Sequence, residues 1–249
     1  MRRGKHPEVF MEKPKSSGQT VLTGLALSVL SAVLLWVSFP PVAFSWGAWF
    51  ALVPLFVALL KFAPNRYAFG AYYGLCLSLW LLLMAQGIPA GYQMMYIMPV
   101  PFFIVVFLFT FWQKDLVTGN DARFFTAVTA LGFVAFEYLR QNSAFGQFGS
   151  LGMSQFRHPE FIQIASMFGV SGASLMILLV NCSVALLVVN AGKIAPVKNQ
   201  VIFSIIIVLF LLCVNFYLMR QPYHQTGLVR AAAIQYGITP EKKLSDPKL

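Results

Sequence analysis

Seven long stretches of this chain are almost free of charge, near residues 21–39, 46–60, 67–84, 96–112, 124–138, 165–189 and 201–218. An α-helix rises about 1.5 Å per residue and a bilayer's hydrocarbon core is about 30 Å thick, so about 20 apolar residues cross it once. With 58% hydrophobic and 10% charged residues in 249, the chain has too little polar surface to face water and enough apolar surface to face lipid. The expected fold class is an all-α polytopic membrane helix bundle of about seven spans over residues 21–219. The second stretch is short and contains Pro54, which predicts a kink or a shallow hairpin with the first.

The net charge of +10 suggests nucleic acid only if the basic residues share one surface, and here they are dispersed between the apolar runs. Topogenic charge is the better account, because Lys and Arg flanking spans are retained on the cytoplasmic side. One set of segments carries Arg2, Arg3, Lys5, Lys13 and Lys15, then Lys61 and Arg66, Lys114 and Arg123, and Lys193 and Lys198. The alternate set before the last span carries only Arg140 and Arg157. This parity predicts a cytoplasmic basic tail over residues 1–20 and an external C-terminus in a multi-pass membrane protein. A cleaved signal peptide is disfavoured, because Pro40, Pro41 and further apolar sequence follow the first run instead of a small-residue cleavage site.

Cys76, Cys182 and Cys213 lie inside apolar runs without paired spacing, so they predict neither disulfides nor zinc. Asn181, Gln163, Ser78 and Gln86 are read as hydrogen-bonding glue between helices. Trp36, Trp46, Trp49, Tyr72, Tyr73, Trp80 and Trp112 are read as interfacial belt or packing. His158 stands without a second nearby His or Cys, and there is no GxSxG, HExxH, P-loop or strand-to-helix GxGxxG, so no metal or cofactor is expected.

The stretch between the fifth and sixth spans interleaves Gly146, Gly149 and Gly152 with Phe145, Phe148, Leu151 and Met153. It is too apolar for a solvated loop and too glycine-rich for a stable helix, which fits a packed connector, or backbone lying at or re-entering the membrane under cover of protein. Glu137 and Arg140, at i and i+3 near the end of the fifth span, can share a helix face as an ion pair. Either they fix the helix end, or they orient this loop or contact a lipid headgroup. The lipid- or substrate-facing candidates are Glu137, Arg140, Phe145, Gly149 and Gln155; no catalytic residue is identified. After Arg220 the hydropathy falls, and residues 228–235 read as a strand ended by Gly237 and Pro240.

Four ordered motifs carry a resemblance. LLWVSFPPVAFSWGAWFALVPLFVAL resembles the opening of bacterial apolipoprotein N-acyltransferases, with an SFPP-like turn and an ALVPL-like run. FEYLRQNSAFGQFGSLGMSQ is similar to that family's E-x-L-R element and its Gly- and aromatic-rich loop ending in G-x-S-Q. PEFIQIASMFGVSGASLMILLVN resembles the stretch leading to an Asn in the next helix, and VRAAAIQYGITPEKK resembles the first strand of a nitrilase-type hydrolase domain.

The resemblance implies the membrane portion of an enzyme that moves an acyl chain from phospholipid to the N-terminal amine of a diacylglyceryl-cysteine lipoprotein. In that family a Glu, Lys and Cys set does the chemistry from beyond the first strand. No residue of this chain can be given those roles, so residues 220–249 are expected to be a linker and the start of an incomplete domain, inactive alone. A truncated gene product, a split enzyme completed by a second chain bearing the nitrilase domain, and a degenerate lipid-binding paralogue all remain open. A small transporter is the rival from another class, but it predicts internal repeats and charged mid-membrane residues that the sequence lacks.

Overall fold

The structure, a computed structural model, describes residues 18–85, 103–108, 110, 124–142, 149–191, 194, 195 and 197–221. Five segments in it are long and apolar enough to cross a membrane. They are α1 (Gly18–Val37), the interrupted α2 (Ser45–Phe62), α3 (Arg66–Ala85), α5 (Val170–Val189) and α6 (Lys198–Met219). A shorter helix, α4 (Phe125–Gln141), takes the place of the predicted fifth span. Only residues 103–108 and 110 represent the predicted fourth span, and they are helical. Seven full spans therefore reduce to five plus the shorter α4 among the described residues. The basic tail before Gly18 and the predicted strand at 228–235 lie outside them.

The predicted sixth span starts later than expected. Ala165–Phe168 is a separate short helix, and Gly169, at φ +64°, breaks the chain before α5 begins at Val170. Its open surroundings leave the turn to backbone conformation, which glycine adopts without a Cβ penalty.

The second span is interrupted, and the sequence explains why. A short 3₁₀ turn (Ser45–Gly47) leads into helical Ala48–Ala51, a turn at Leu52, helical Val53–Val57 and a π-helical Ala58–Phe62. Pro54 has no N–H and its ring disfavours a helical neighbour before it, so the ladder of backbone bonds fails here. In hydrocarbon no water can take up the freed groups. Side chains of two other helices do so instead. The Asn181 carboxamide of α5 accepts from the Leu52 N–H at 2.8 Å and donates to the Ala48 carbonyl at 3.0 Å, standing between the two groups that an uninterrupted helix would pair. Ser31 of α1 accepts from the Leu55 N–H at 2.8 Å. The expected kink at Pro54 is thus a capped break, buried between α1 and α5.

Small residues let the helices approach. On α1 the buried stripe is Gly24, Ser28, Ser31, Ala32 and Leu35, one face at helical spacing. A Cβ at Gly24 would collide with the Tyr72 ring of α3, whose hydroxyl donates to the carbonyls of Val21 and Phe62. On the other side of α3, Gly70 and Gly74 form a G-x-x-x-G notch that takes the rings of Phe107 and Phe103, themselves stacked at 6.1 Å. Cys76 and Cys182 are fully buried, as small packing residues would be, whereas Cys213 is exposed on α6.

The glue reading holds for Asn181. Ser78 has no hydrogen-bond partner among the described residues, and Gln86 lies outside them. A polar tie that the sequence reading missed is Asn215 of α6, which accepts from the Ile164 N–H at 2.8 Å and donates to the Leu211 carbonyl of its own helix.

Replacing Asn181 with Leu keeps the volume but strands the Leu52 N–H and Ala48 carbonyl. It should cost about 1–3 kcal/mol per orphaned group in reversible unfolding from detergent. Ser183→Ala removes only a bond to its own helix, to the Leu179 carbonyl, and should change stability by less than about 1 kcal/mol.

Candidate functional site

The end of the bundle where α1, α3 and α4 finish and α5 begins is built largely from non-helical backbone. The chain leaves α1 through Phe39, a cis Pro40–Pro41 bond and Ala43, held left-handed at φ +57°. It then enters the 3₁₀ turn at Ser45–Gly47. From the other side, residues 149–155 fold in and form a second 3₁₀ turn, Leu151–Gln155, against the first. Ser150, Leu151, Gly152, Ser154 and Gln155 are all buried.

Backbone of this kind persists at membrane depth only if its polar groups are paired within the protein. Glu137 of α4, buried at 2% exposure, accepts from the Leu151 N–H at 2.6 Å. Ser174 of α5 accepts from the Gly152 N–H at 2.8 Å, and Gln141 donates to the Ser150 hydroxyl at 3.1 Å. Gln155 joins the two turns: its amide nitrogen donates to the Ser45 carbonyl and the Ser154 hydroxyl, and its oxygen accepts from the Trp49 indole at 3.2 Å.

Two glycines are required. A Cβ at Gly152 would lie 2.5 Å from the Val170 carbonyl and 2.9 Å from the Ala173 Cβ, so the loop touches the start of α5 through bare backbone. Gly149 takes φ +71°, and a Cβ there would meet the Trp80 ring of α3 at 2.8 Å.

Around this buried hinge lies an aromatic rim. Trp46 faces the rings of His158 and Phe161 with centroids at 5.2 and 5.6 Å, and Trp49 meets Phe161 at 5.4 Å. Phe44, Trp46, Met153, Phe156, Met167 and Phe168 are exposed, and the Arg157 guanidinium lies over the Phe156 ring. His158 Nδ1 is 3.1 Å from Glu160 Oε1. The Glu160 carboxyl is held below the usual range, first by its own backbone N–H and then by His158. Large exposed apolar groups mixed with a cation suit the boundary between lipid tails and headgroups. Among the described residues no cluster of His, Cys, Asp and Glu suits a metal.

Of the sequence candidates, the structure brings together Glu137, Gly149 and Gln155. Phe145 and the Arg140 side chain lie outside what is described. Glu137 accepts from the loop backbone at Leu151, while its pairing with Arg140 lies outside what is described. Ser174 and Ser31 were not singled out from the sequence, where the available signal was a hydroxyl on an otherwise apolar helical face, and Trp49 was read only as belt or packing.

These features define a polytopic membrane protein whose non-helical turns at one bundle end are clamped by buried polar side chains from α4 and α5. Residues 31–183 match the family described as the apolipoprotein N-acyltransferase N-terminal domain, and the chain belongs to that family. It is also similar to apolipoprotein N-acyltransferase 1 of Treponema denticola, 27% identical over 188 residues, covering 70% of this chain and 33% of the relative. The aligned part of the chain thus spans about a third of that relative's length.

Glu137→Gln retains an acceptor for the Leu151 N–H, whereas Glu137→Leu does not. The Leu variant should lose about 1–3 kcal/mol and be cut faster by trypsin after Arg157, while the Gln variant stays near wild type in both measurements. Equal cleavage of all three proteins would show that Glu137 does not hold the loop.

Proposed function

We propose that this chain is the membrane platform of a lipoprotein N-acyltransferase, holding phospholipid and diacylglyceryl-lipoprotein substrates at the bundle end that carries residues 149–155. The observation that carries the reading is the clamp made by Glu137, Ser174 and Gln155, which lies inside the family-matched segment and fixes irregular backbone next to an exposed aromatic rim. A lipid-handling site needs such a rigid opening at the membrane boundary, because headgroups and acyl chains must be presented at a fixed depth to whatever group reacts with them.

In this reading the Lys- and Arg-rich end of the bundle is cytoplasmic and the clamped end faces outward across a bacterial inner membrane. The Glu, Lys and Cys set expected of the family has no counterpart in these 249 residues. Acyl transfer therefore needs a nitrilase-like domain supplied by further sequence or by a second chain. Glu137, Gly149 and Gln155 support the substrate-facing mouth in this reading, and Arg140 and Phe145 are substrate-facing candidates by their place in the sequence alone.

Purified 249-residue chain in nanodiscs should retain phospholipid yet transfer no acyl group to a diacylglyceryl lipopeptide; transfer by this chain alone would overturn the assignment of chemistry to another domain. A reporter fused after Arg220 should be labelled from the external side. Cytoplasmic labelling would sink the proposed orientation.

A further inference from the structure

α4 is shorter than the helices beside it. Its apolar part, Phe125–Leu139, rises about 22 Å, against about 30 Å for α5 and about 33 Å for α6. The longer two match a hydrocarbon core of about 30 Å, and α6 fills it between Lys198 and Arg220. The ties of α4 decide at which end it falls short. Gln200 of α6 accepts from the N–H and the hydroxyl of Thr126, both at 3.1 Å, so α4 and α6 start level. They also run in the same direction, because their other ends both lie where α5 begins, α4 through Glu137 and Leu151 and α6 through Asn215 and Ile164. The shortfall is therefore at the loop end.

Counted from the Thr126 and Gln200 level, Glu137 stands 11 residues up α4, about 16 Å, and Asn215 stands 15 residues up α6, about 22 Å. The backbone that each side chain holds inherits the difference, so Leu151 lies about 6 Å deeper than Ile164. α5 gives the same figure independently: Ser174, which holds Gly152, is four residues inside the helix, about 6 Å from its first residue.

The outward stripe of α4 is Leu131, Ala135 and Tyr138, and it continues one turn on to Asn142, all four exposed. The stripe thus ends in a carboxamide about 24 Å above Thr126, a height at which α6 presents the exposed ring of Phe216. Asn142 cannot reach up to a flat interface, since its side chain is short and its amide nitrogen already donates to the Tyr138 carbonyl at 2.8 Å. A span shorter than the hydrocarbon is accommodated at modest cost by thinning the bilayer around it.

We infer that α4 thins the bilayer beside it, drawing the headgroups of the adjoining leaflet about 6 Å inward to the level of Asn142 and the clamped loop. Lipid next to α4 then comes level with residues 151 and 152 without leaving its leaflet. The inference needs only the membrane-spanning bundle and stands apart from the acyl-transfer reading.

Nitroxide labels on the whole 249-residue chain in dioleoylphosphatidylcholine liposomes test it. Cys76 and Cys182 are buried, so in a Cys213→Ala background an added cysteine takes the label. Asn142→Cys and Phe216→Cys place labels at equal heights on the two helices. The label at 142 should collide more with a water-soluble nickel complex than with oxygen, and the label at 216 should do the reverse, reading about 6 Å deeper. In thinner dimyristoleoylphosphatidylcholine liposomes the difference should shrink, because α6 then reaches the surface at the same height. Equal depths in the thicker bilayer would mean a flat membrane and overturn the inference. So would a label at 142 that neither reagent reaches, which protein would then cover, or a difference unchanged in thin bilayers, which marks a water-filled crevice. If Asn142→Cys does not fold, Tyr138→Cys in the same background, set against the wild-type chain labelled at its own exposed Cys213, repeats the comparison at heights one residue apart.

Discussion

Every departure from regular helix in this protein must find its hydrogen bonds within the protein, because lipid offers none. That requirement explains the placement of its buried polar side chains. Asn181 serves the break at Leu52, Ser31 serves Leu55, Asn215 serves Ile164, and Glu137 and Ser174 serve Leu151 and Gly152. In each case a side chain on one helix completes the backbone of another segment. The apolar residues make the bundle possible, but they specify little about which helix meets which, since lipid tails are as apolar as the helix faces. The polar pairings and the glycine contacts, Gly24 against Tyr72 and Gly152 against the start of α5, supply that specificity.

The same logic gives the candidate site its character. Irregular backbone is costly in a membrane, so two facing 3₁₀ turns joined by Gln155 are an expensive way to end a bundle. A short polar connector in water would link the same helices more cheaply. What the clamp adds is a fixed non-helical surface beside Trp46, Phe156 and Arg157.

Span-length hydropathy was legible in the sequence, because composition and length alone determine it. Within the Gly-rich stretch, the described residues 149–155 were legible as largely covered, irregular backbone, since the apolar residues among the glycines argued against a solvated loop and the glycines argued against a helix. The breaks were less so. Pro54 announced a kink, but nothing local to it indicated that Asn181 would cap it, because the two are separated by more than a hundred residues of chain. Glu137 and Arg140 drew attention as a neighbouring pair, and the bond that Glu137 accepts from the Leu151 N–H was not legible, because helical spacing cannot express it. The separate short helix at Ala165–Phe168 was hidden within one continuous apolar run, and only Gly169 marked the interruption. The Gly70 and Gly74 notch was present as a G-x-x-x-G pattern and went unread beside the stronger hydropathy signal.

The distance between the break in α2 and its cap has a consequence for biosynthesis. Leu52 and Ala48 leave the ribosome 129 and 133 residues ahead of Asn181. Until α5 is inserted, the second span carries exposed backbone groups that lipid cannot satisfy, at several kcal/mol each. Its early resting place is therefore the polar interface or the insertion machinery, with only Ser31 of the preceding helix at hand. The second span reaches its final depth after the fifth helix arrives, so the order of assembly differs from the order of synthesis.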